Sequence, residues 1–163
     1  MTSLPDSYPT DAMAPDALAV ARGISRLFAR NDIWCLTEMA LRNGRRADMM
    51  GIDAKGHLII VEIKTARADL MGDAKWTDYL DYCDRFFWGL GAHLDRSCME
   101  TEAFLPARCG LIAADGYDAE ILRPAPLVSL APARRKAEVE RLARASLRRQ
   151  TLALDPPLGR WGD

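Results

Sequence analysis

The chain has 163 residues, of which 49% are hydrophobic, and its formal net charge is −1. This length and apolar content suffice for one ordinary domain with a buried core, and the near-neutral charge argues against nonspecific affinity for polyanions over the whole surface. Because the sequence has no apolar run of about 18 residues and no basic-then-apolar leader, we expect a cytoplasmic protein with no membrane association and no secretion signal.

Hydrophobic periodicity predicts helices and strands along most of the chain. The predicted elements, in chain order, are a helix (17–30), three strands (33–41, 45–52 and 58–64), a helical turn (66–71), a helix from Asp73 to Cys83, three further strands (85–90, 109–115 and 119–123) and a last helix (132–152). The proline-containing residues 1–16 are expected to form a flexible N-terminal segment, and residues 154–163 a C-terminal tail. A single domain is therefore predicted over residues 17–153.

The strand 58–64 carries two charged residues on one face. Its residues are β-branched and apolar until the end, which is typical of a strand buried on both faces. Because successive side chains of a strand point to opposite faces, Glu62 and Lys64 share a face and the intervening isoleucine lies on the other. A carboxylate and an ammonium thus lie side by side on a core strand.

The preceding hairpin brings a third charged residue to this face. In Asp53-Ala54-Lys55-Gly56-His57, glycine ends a three-residue loop of the bulge type, so the two ends of this segment face one another. Counting inward places Asp48 opposite Glu62, and opposed carboxylates repel unless a positive group lies between them. A divalent cation, Mg²⁺ or Mn²⁺, held by two carboxylates, water and substrate phosphates, meets that need. The alternative is a plain salt bridge, in which Lys64 neutralises either acid.

The loop between the first two strands decides where Glu38 lies. A two-residue Asn43-Gly44 turn would direct Glu38 to the face away from Asp48, whereas a three-residue loop with a left-handed Gly44 would place it opposite Asp48. We expect the three-residue loop, in which Glu38, Asp48 and Glu62 form a row across three strands. Glu38 would then be an outer-sphere or second-metal acid of the catalytic site. A solvated edge-strand glutamate is the alternative.

Four segments together resemble the MmcB-like DNA-repair family. They are Arg45-Arg46-Ala47-Asp48, Ile60-Val61-Glu62-Ile63-Lys64, Asp73-Ala74-Lys75-Trp76-Thr77-Asp78-Tyr79 and Cys83-Asp84-Arg85-Phe86. The resemblance, over residues 17–150, implies membership of the PD-(D/E)XK nuclease superfamily and an α/β fold of the restriction-endonuclease-like type, with a mixed β-sheet flanked by helices. It also implies that Asp48 and Glu62 are metal ligands and that Lys64 is the catalytic lysine, although Ala47 stands where the superfamily pattern has proline.

Three residues near the acids are candidate contacts to substrate: Arg46, Lys75 and Tyr79. On the predicted helix after Asp73, Lys75 and Tyr79 lie at helical spacing and could reach a phosphate beside the acids. A structural role suits Tyr79 equally well, and Trp76 suits a core position better than a base-stacking one.

The last predicted helix carries most of the positive charge. Residues 134–149 contain seven basic and two acidic residues, a net charge of +5, which leaves −6 for the rest of the chain. Arginines of this kind bind DNA phosphates without reading sequence. The expected DNA contacts are Arg134, Arg135, Arg141, Arg144, Arg148 and Arg149. The apolar positions Val139, Leu142, Ala143 and Leu147 are expected to face inward, and a merely solvated amphipathic helix is the alternative.

The residues as a whole favour metal-dependent hydrolysis of phosphodiester bonds, in which a cation activates water and Lys64 stabilises developing charge. Other chemistries lack the residues that they need. The chain has two histidines for a hydrolytic triad, no phosphate-loop motif for nucleotide binding and four cysteines without the spacing of a zinc site. We therefore predict a DNA endonuclease or a structure-specific repair nuclease. The alternative is a catalytically weak module that binds DNA or a repair protein on the same fold.

Overall fold

The computed structural model describes residues 15–70 and 74–156. Its elements are α1 (Pro15–Arg30), β1 (Trp34–Ala40), β2 (Arg46–Ile52), β3 (Leu58–Lys64), the short α2 (Arg67–Leu70), a 3₁₀ helix (Trp76–Tyr82), β4 (Arg85–Gly91), two 3₁₀ turns (Ser97–Glu100 and Glu102–Phe104), β5 (Cys109–Ala114), β6 (Ala119–Arg123) and α3 (Pro132–Leu154). The six predicted strands and the two long helices are confirmed, with small differences at their ends.

One mixed sheet contains the six strands in sequence order. The pairs β1–β2, β2–β3 and β5–β6 are antiparallel, whereas β3–β4 and β4–β5 are parallel. The predicted fold class, an α/β fold with a mixed sheet flanked by helices, is confirmed, and the open sheet is consistent with the restriction-endonuclease-like type. No helix in the described part of the chain is long and apolar enough to cross a bilayer.

Two hydrophobic layers lie on the two faces of the sheet. On one face α1 packs Ile24 and Phe28 against Val61. On the other face Trp88 lies in a core that includes the 3₁₀ helix and Leu142 of α3. Every residue of β3 except Lys64 is buried, as expected for a central strand with both faces covered.

The predicted α-helix ending at Cys83 is wrong in type, because the structure has a 3₁₀ helix over Trp76–Tyr82. With three residues per turn, Trp76, Tyr79 and Tyr82 fall on one face, and all three are buried. Trp76 is thus a core residue, as predicted. Over only seven residues, the spacing of these aromatic residues fits the period of an α-helix as well as that of a 3₁₀ helix. The sequence pattern therefore could not distinguish the two helix types. Asp73, the predicted N-cap, lies outside the described residues.

The apolar face of α3 also differs from the prediction. Leu142 is buried, and Val139 and Ala145 pack beside it, whereas Ala143 and Leu147 are exposed, the latter by 67%. Five residues turn an α-helix by about 500°, so Leu147 points about 140° away from Leu142.

The predicted terminal segments fall mostly outside the described residues, which exclude 1–14 and 157–163. Pro15 and Asp16, assigned to the flexible N-terminal segment, belong to α1 instead, and Leu154, assigned to the C-terminal tail, ends α3. The domain limits of 17–153 stay a prediction.

Candidate functional site

The hairpin between β2 and β3 has the predicted register. Gly56 adopts a φ of 85° and the Asp53 amide donates to the His57 carbonyl at 3.0 Å. The antiparallel pairs then run from Ile52 with Leu58 to Met49 with Val61. Asp48 and Glu62 occupy the next position, opposite one another.

Carboxylate hydrogen bonds replace the backbone ladder at that position. The Asp48 amide donates to Glu62 Oε1 at 3.1 Å, and the Ile63 amide donates to Asp48 Oδ2 at 2.7 Å. Each acid therefore fixes the other acid's strand through one carboxylate oxygen. The two carboxyl groups also hydrogen-bond to each other.

Burial makes it hard to ionise both acids at once. Glu62 is only 6% exposed. Its burial, and then the Asp48 charge, raise the pKa of Glu62 to about 9. Burial also raises the pKa of Asp48, against the opposing effects of the Ile63 amide and the Lys64 charge. Near neutral pH and without a cation, the two carboxylates therefore share a proton.

Lys64 ends β3 on the same face as Glu62. Its ammonium lies 5.9 Å from the centroid of the Trp88 ring, and Trp88 is the β4 partner of Glu62. The Lys64 charge lowers the pKa of both acids. The alternative of a plain salt bridge has little support, because Lys64 forms no ion pair with a carboxylate in residues 15–70 and 74–156.

The loop between β1 and β2 is the predicted three-residue type. The Leu41 amide donates to the Arg45 carbonyl at 2.7 Å, and Gly44 is left-handed with a φ of 83°. Glu38 therefore lies at the level of Asp48, between the pairs Thr37 with Met49 and Met39 with Ala47.

Glu38 itself is left-handed, with a φ of 53°, which an ordinary side chain adopts only at a cost. This kink reverses the alternation of β1, so that Leu36 and Met39 pack into the same hydrophobic layer. The Glu38 carboxylate lies 3.9 Å from the Arg46 guanidinium, and its charge raises the pKa of Asp48.

The row of acids is not a three-ligand cluster. Among the residues that the structure describes, no three histidine, cysteine or acidic side chains converge closely enough to hold a metal ion. A metal site here would consist of Asp48 and Glu62, with Glu38 beyond direct coordination. Two opposed carboxylates fit Mg²⁺ or Mn²⁺, which would replace the proton between them, since such ions keep several waters and bind substrate phosphates.

Three of the six predicted DNA-binding arginines are bound to the fold. Arg135 pairs with Asp84, which is fully buried. Arg141 donates to the Ala40 carbonyl at 2.8 Å. Arg149 donates to the carbonyls of Thr37 and Glu38 at 2.6 and 3.0 Å, at the kink of β1. These three guanidinium groups attach α3 to the sheet.

The other three arginines are exposed. Arg134 lies 4.7 Å over the Tyr82 ring. Arg144 and Arg148 line a cavity of about 350 Å³ between α3 and β1. We name this cavity the arginine groove; its lining is Glu38, Met39, Ala40, Arg141, Arg144, Ala145, Arg148 and Arg149. Glu38 lines the arginine groove and also lies at the level of Asp48 in the row of acids. The groove therefore opens beside Asp48 and Glu62.

The three candidate substrate contacts differ in their surroundings. Tyr79 is buried, and its hydroxyl donates to the Arg46 carbonyl at 3.0 Å. The Arg46 side chain is exposed on β2, and Lys75 is exposed directly before the 3₁₀ helix. Tyr79 thus supports β2, and contact of any of the three with substrate stays a prediction.

Sequence reasoning missed Asp84 as a structural centre. Its carboxylate accepts the amides of Leu58 and Leu130, both at 2.8 Å, as well as the Arg135 guanidinium. These bonds hold the starts of β3 and β4 and the approach to α3. A carboxylate between buried Cys83 and an apolar strand is the signal that could have revealed it.

Comparisons with known proteins identify relatives. The family model described as "DNA repair protein MmcB-like" matches residues 6–156. The chain is also similar to the solved structure of the SPO1766 protein of unknown function from Silicibacter pomeroyi, with 40% identity and a TM-score of 0.75, over 85% of this chain and 90% of that one. Among curated proteins, none matches the chain.

Proposed function

Because the chain belongs to the MmcB-like family of DNA repair proteins, we propose that it is a repair nuclease of the PD-(D/E)XK type, which hydrolyses phosphodiester bonds of DNA with Mg²⁺ or Mn²⁺. One observation carries the proposal. Asp48 and Glu62 face one another across two strands, each tied to backbone by one oxygen, and Lys64 lies on the same face.

The loss of folding stability caused by two opposed, buried carboxylates supports a functional role for them. A buried carboxylate pair destabilises the folded chain whenever both acids ionise. A module that only binds DNA through arginines has no use for such a pair, whereas a cation between the acids would offset their repulsion.

Each residue has a role in the proposed chemistry. Asp48 and Glu62 would hold the cation in place of the proton that they share, while their backbone bonds keep both carboxylates oriented. The cation, when bound, supplies polarisation of the scissile phosphate and activation of the attacking water. The Lys64 ammonium stabilises negative charge that develops at the phosphate in the transition state.

Glu38 and Arg46 have supporting roles in this proposal. Glu38 raises the pKa of Asp48 without binding the cation itself, since its negative charge opposes ionisation of Asp48. Arg46 is exposed beside Glu38 and would bind a phosphate next to the scissile one. The exposed arginines of α3 would bind the DNA backbone further along.

A cleavage assay with isosteric variants tests the proposal. Purified Asp48→Asn, Glu62→Gln and wild-type chains would be incubated with labelled single-stranded, duplex and flap DNA in Mg²⁺, Mn²⁺ or EDTA. We expect cation-dependent cleavage by the wild type and none by the two variants. Glu120→Gln, at an exposed acid of β6, is the matched control and should cleave normally.

A second candidate, a DNA-binding or partner-binding module without catalysis, is favoured by one observation, the lack of a third acidic ligand among the described residues. Absence of cleavage by the wild type on every substrate, with DNA binding intact, would support this second candidate. Cleavage that persists in Asp48→Asn or Glu62→Gln would contradict the assignment of the acids.

A further inference from the structure

Trp34 is a large apolar side chain that the fold leaves in solvent. It begins the edge strand β1, and 63% of its surface is exposed. Its indole N–H donates to Asp32 Oδ1 at 3.0 Å, which fixes the orientation of the ring. A held, exposed indole provides a rigid aromatic surface that is ready to stack on a planar ligand.

A cavity of about 240 Å³ lies beside this ring. The sheet contributes Trp34, Leu36 and Ile52, and α3 contributes Val139, Ala143 and Ser146. We name it the tryptophan cavity. Its lining is mostly apolar, with the Ser146 hydroxyl as a polar group, which is the composition of sites that bind flat, weakly polar rings.

The tryptophan cavity and the arginine groove adjoin the same two elements. Both lie between β1 and α3. Ala143 lines the cavity and Arg144, the next residue, lines the groove. Trp34 precedes Glu38 by four residues, about 13 Å of strand. An apolar site for a ring, a cationic site for phosphates and the acids therefore follow one another along β1.

We propose that single-stranded DNA lies along β1 and α3, with one unpaired base stacked on Trp34 in the tryptophan cavity and neighbouring phosphates on Arg144 and Arg148. This inference rests on the proposed function, because it names the substrate class: DNA with an unpaired segment. Aromatic stacking with phosphate contacts at a basic groove is how proteins bind single strands without sequence preference. A base inside a duplex is already stacked and cannot reach Trp34 unless it is flipped out.

The exposed arginines favour DNA over an apolar peptide as the occupant. A peptide that filled the cavity would gain from its apolar lining but would leave the charges of Arg144 and Arg148 unmatched. A nucleotide satisfies both sites at once, through its base and its phosphate.

Binding measurements in EDTA test the inference without hydrolysis. Dissociation constants would be measured by fluorescence anisotropy for a labelled single-stranded oligonucleotide and for a hairpin duplex of the same sequence. Trp34→Ala should weaken single-strand binding about tenfold, the loss expected when one stacking aromatic is removed. Its effect on the duplex should be less than about twofold. Trp34→Phe should keep most of the affinity, because it keeps a ring.

Tyr117→Ala is the matched control for this measurement. Tyr117 is 79% exposed and lies between β5 and β6, at the other edge of the sheet from β1. Its removal should leave both affinities unchanged. Melting temperatures of all variants would verify that the chains are folded.

Tryptophan fluorescence gives a second readout that needs no alanine variant. Trp76 and Trp88 are buried, and Trp161 lies outside the described residues, so Trp34→Phe is the reference that isolates the Trp34 signal. Stacking of a base should quench the emission of the wild type and much less that of Trp34→Phe. A folded Trp34→Ala chain that binds single strands like the wild type would overturn the inference and leave the cavity for a protein partner. An equal loss on single strand and duplex would also overturn it, as would an unquenched wild type at saturating single-stranded DNA.

The outcome is separable from that of the proposed function. A chain that binds single strands through Trp34 but never cleaves DNA contradicts the nuclease proposal and not this one. A chain that cleaves DNA with an intact rate after Trp34→Ala, and with unchanged binding, contradicts only this one.

Discussion

Asp48 and Glu62 join the ends of β2 and β3 where the backbone ladder stops, through hydrogen bonds from the amides of Ile63 and Asp48. An asparagine or glutamine side chain can accept the same bonds through its carbonyl oxygen. Asp48→Asn and Glu62→Gln therefore remove charge and keep both acceptors. Alanine would leave a buried amide unpaired, at a cost of about 1–3 kcal/mol, so the amide variants separate charge from folding.

The metal-free chain should lose stability as the pH rises. Glu62 has a pKa of about 9 in the fold, above its ordinary value of 4.5, so the folded chain holds a proton that the unfolded chain has released between these values. The contribution of Glu62 to stability is then fully present below pH 4.5 and is lost as the pH rises toward 9, by at most about 1.4 kcal/mol per pH unit. Urea unfolding in EDTA across this range measures the slope.

Glu62→Gln should flatten this pH dependence, because glutamine does not titrate. Glu120→Gln should retain the wild-type slope. A wild type whose stability is constant or rises between pH 5 and pH 9 would contradict the shared proton of the acid pair.

Divalent cations should stabilise the wild type and not Asp48→Asn. A cation that binds only the folded chain adds about 2.7 kcal/mol at a concentration of 100 times its Kd. Asp48→Asn removes a ligand and the repulsion together, so its metal-free melting temperature should be slightly above the parent's and should not respond to Mn²⁺. Scanning calorimetry at pH 8, where proton competition is weaker than at pH 6, is the measurement. A wild type that melts at the same temperature with and without millimolar Mn²⁺ would show that the acids are not a cation site.

Lys64→Met should slow cleavage without weakening metal binding. Methionine keeps an unbranched side chain over Trp88 but removes the ammonium, which opposes a cation at the acids and favours negative charge on the substrate. We expect the cleavage rate to fall about 10²–10³-fold, while the Mn²⁺ affinity measured by calorimetry stays the same or increases. Loss of metal affinity in parallel with rate would instead indicate that Lys64 only holds the acids in place.

The sequence predicted those parts of the site that depend on local rules. A glycine at the end of a three-residue loop determines hairpin register, so Gly56 placed Asp48 opposite Glu62, and Gly44 placed Glu38 in the same row. Strand alternation then put Lys64 beside Glu62.

The remaining features depend on contacts between distant parts of the chain. Arg149 reaches the carbonyls of Thr37 and Glu38, more than 100 residues earlier, and Arg135 reaches the buried Asp84. Charge pattern alone does not distinguish these arginines from Arg144 and Arg148. The sequence also could not predict the left-handed backbone conformation of Glu38, since glutamate has no intrinsic preference for positive φ.

The arginines of α3 should therefore separate into two classes in a single experiment. Arg144→Gln with Arg148→Gln removes two exposed charges of the arginine groove. Because each phosphate contact contributes a slope of about −0.7 to −0.9 in log affinity against log salt, the double variant should flatten the slope by about 1.4–1.8 units. Its stability to urea should not change.

Arg135→Gln should show the reverse pattern. It leaves the fully buried Asp84 carboxylate without its cation while the two backbone amides remain, and we expect a loss of about 2–3 kcal/mol in the free energy of unfolding. The salt slope of DNA binding by the chain that stays folded should equal that of the wild type, since this guanidinium is already paired. If Arg135→Gln flattened the slope as much as the double variant does, DNA would have to compete with Asp84 for Arg135. The division of α3 into arginines that hold the fold and arginines that bind phosphate would then be wrong.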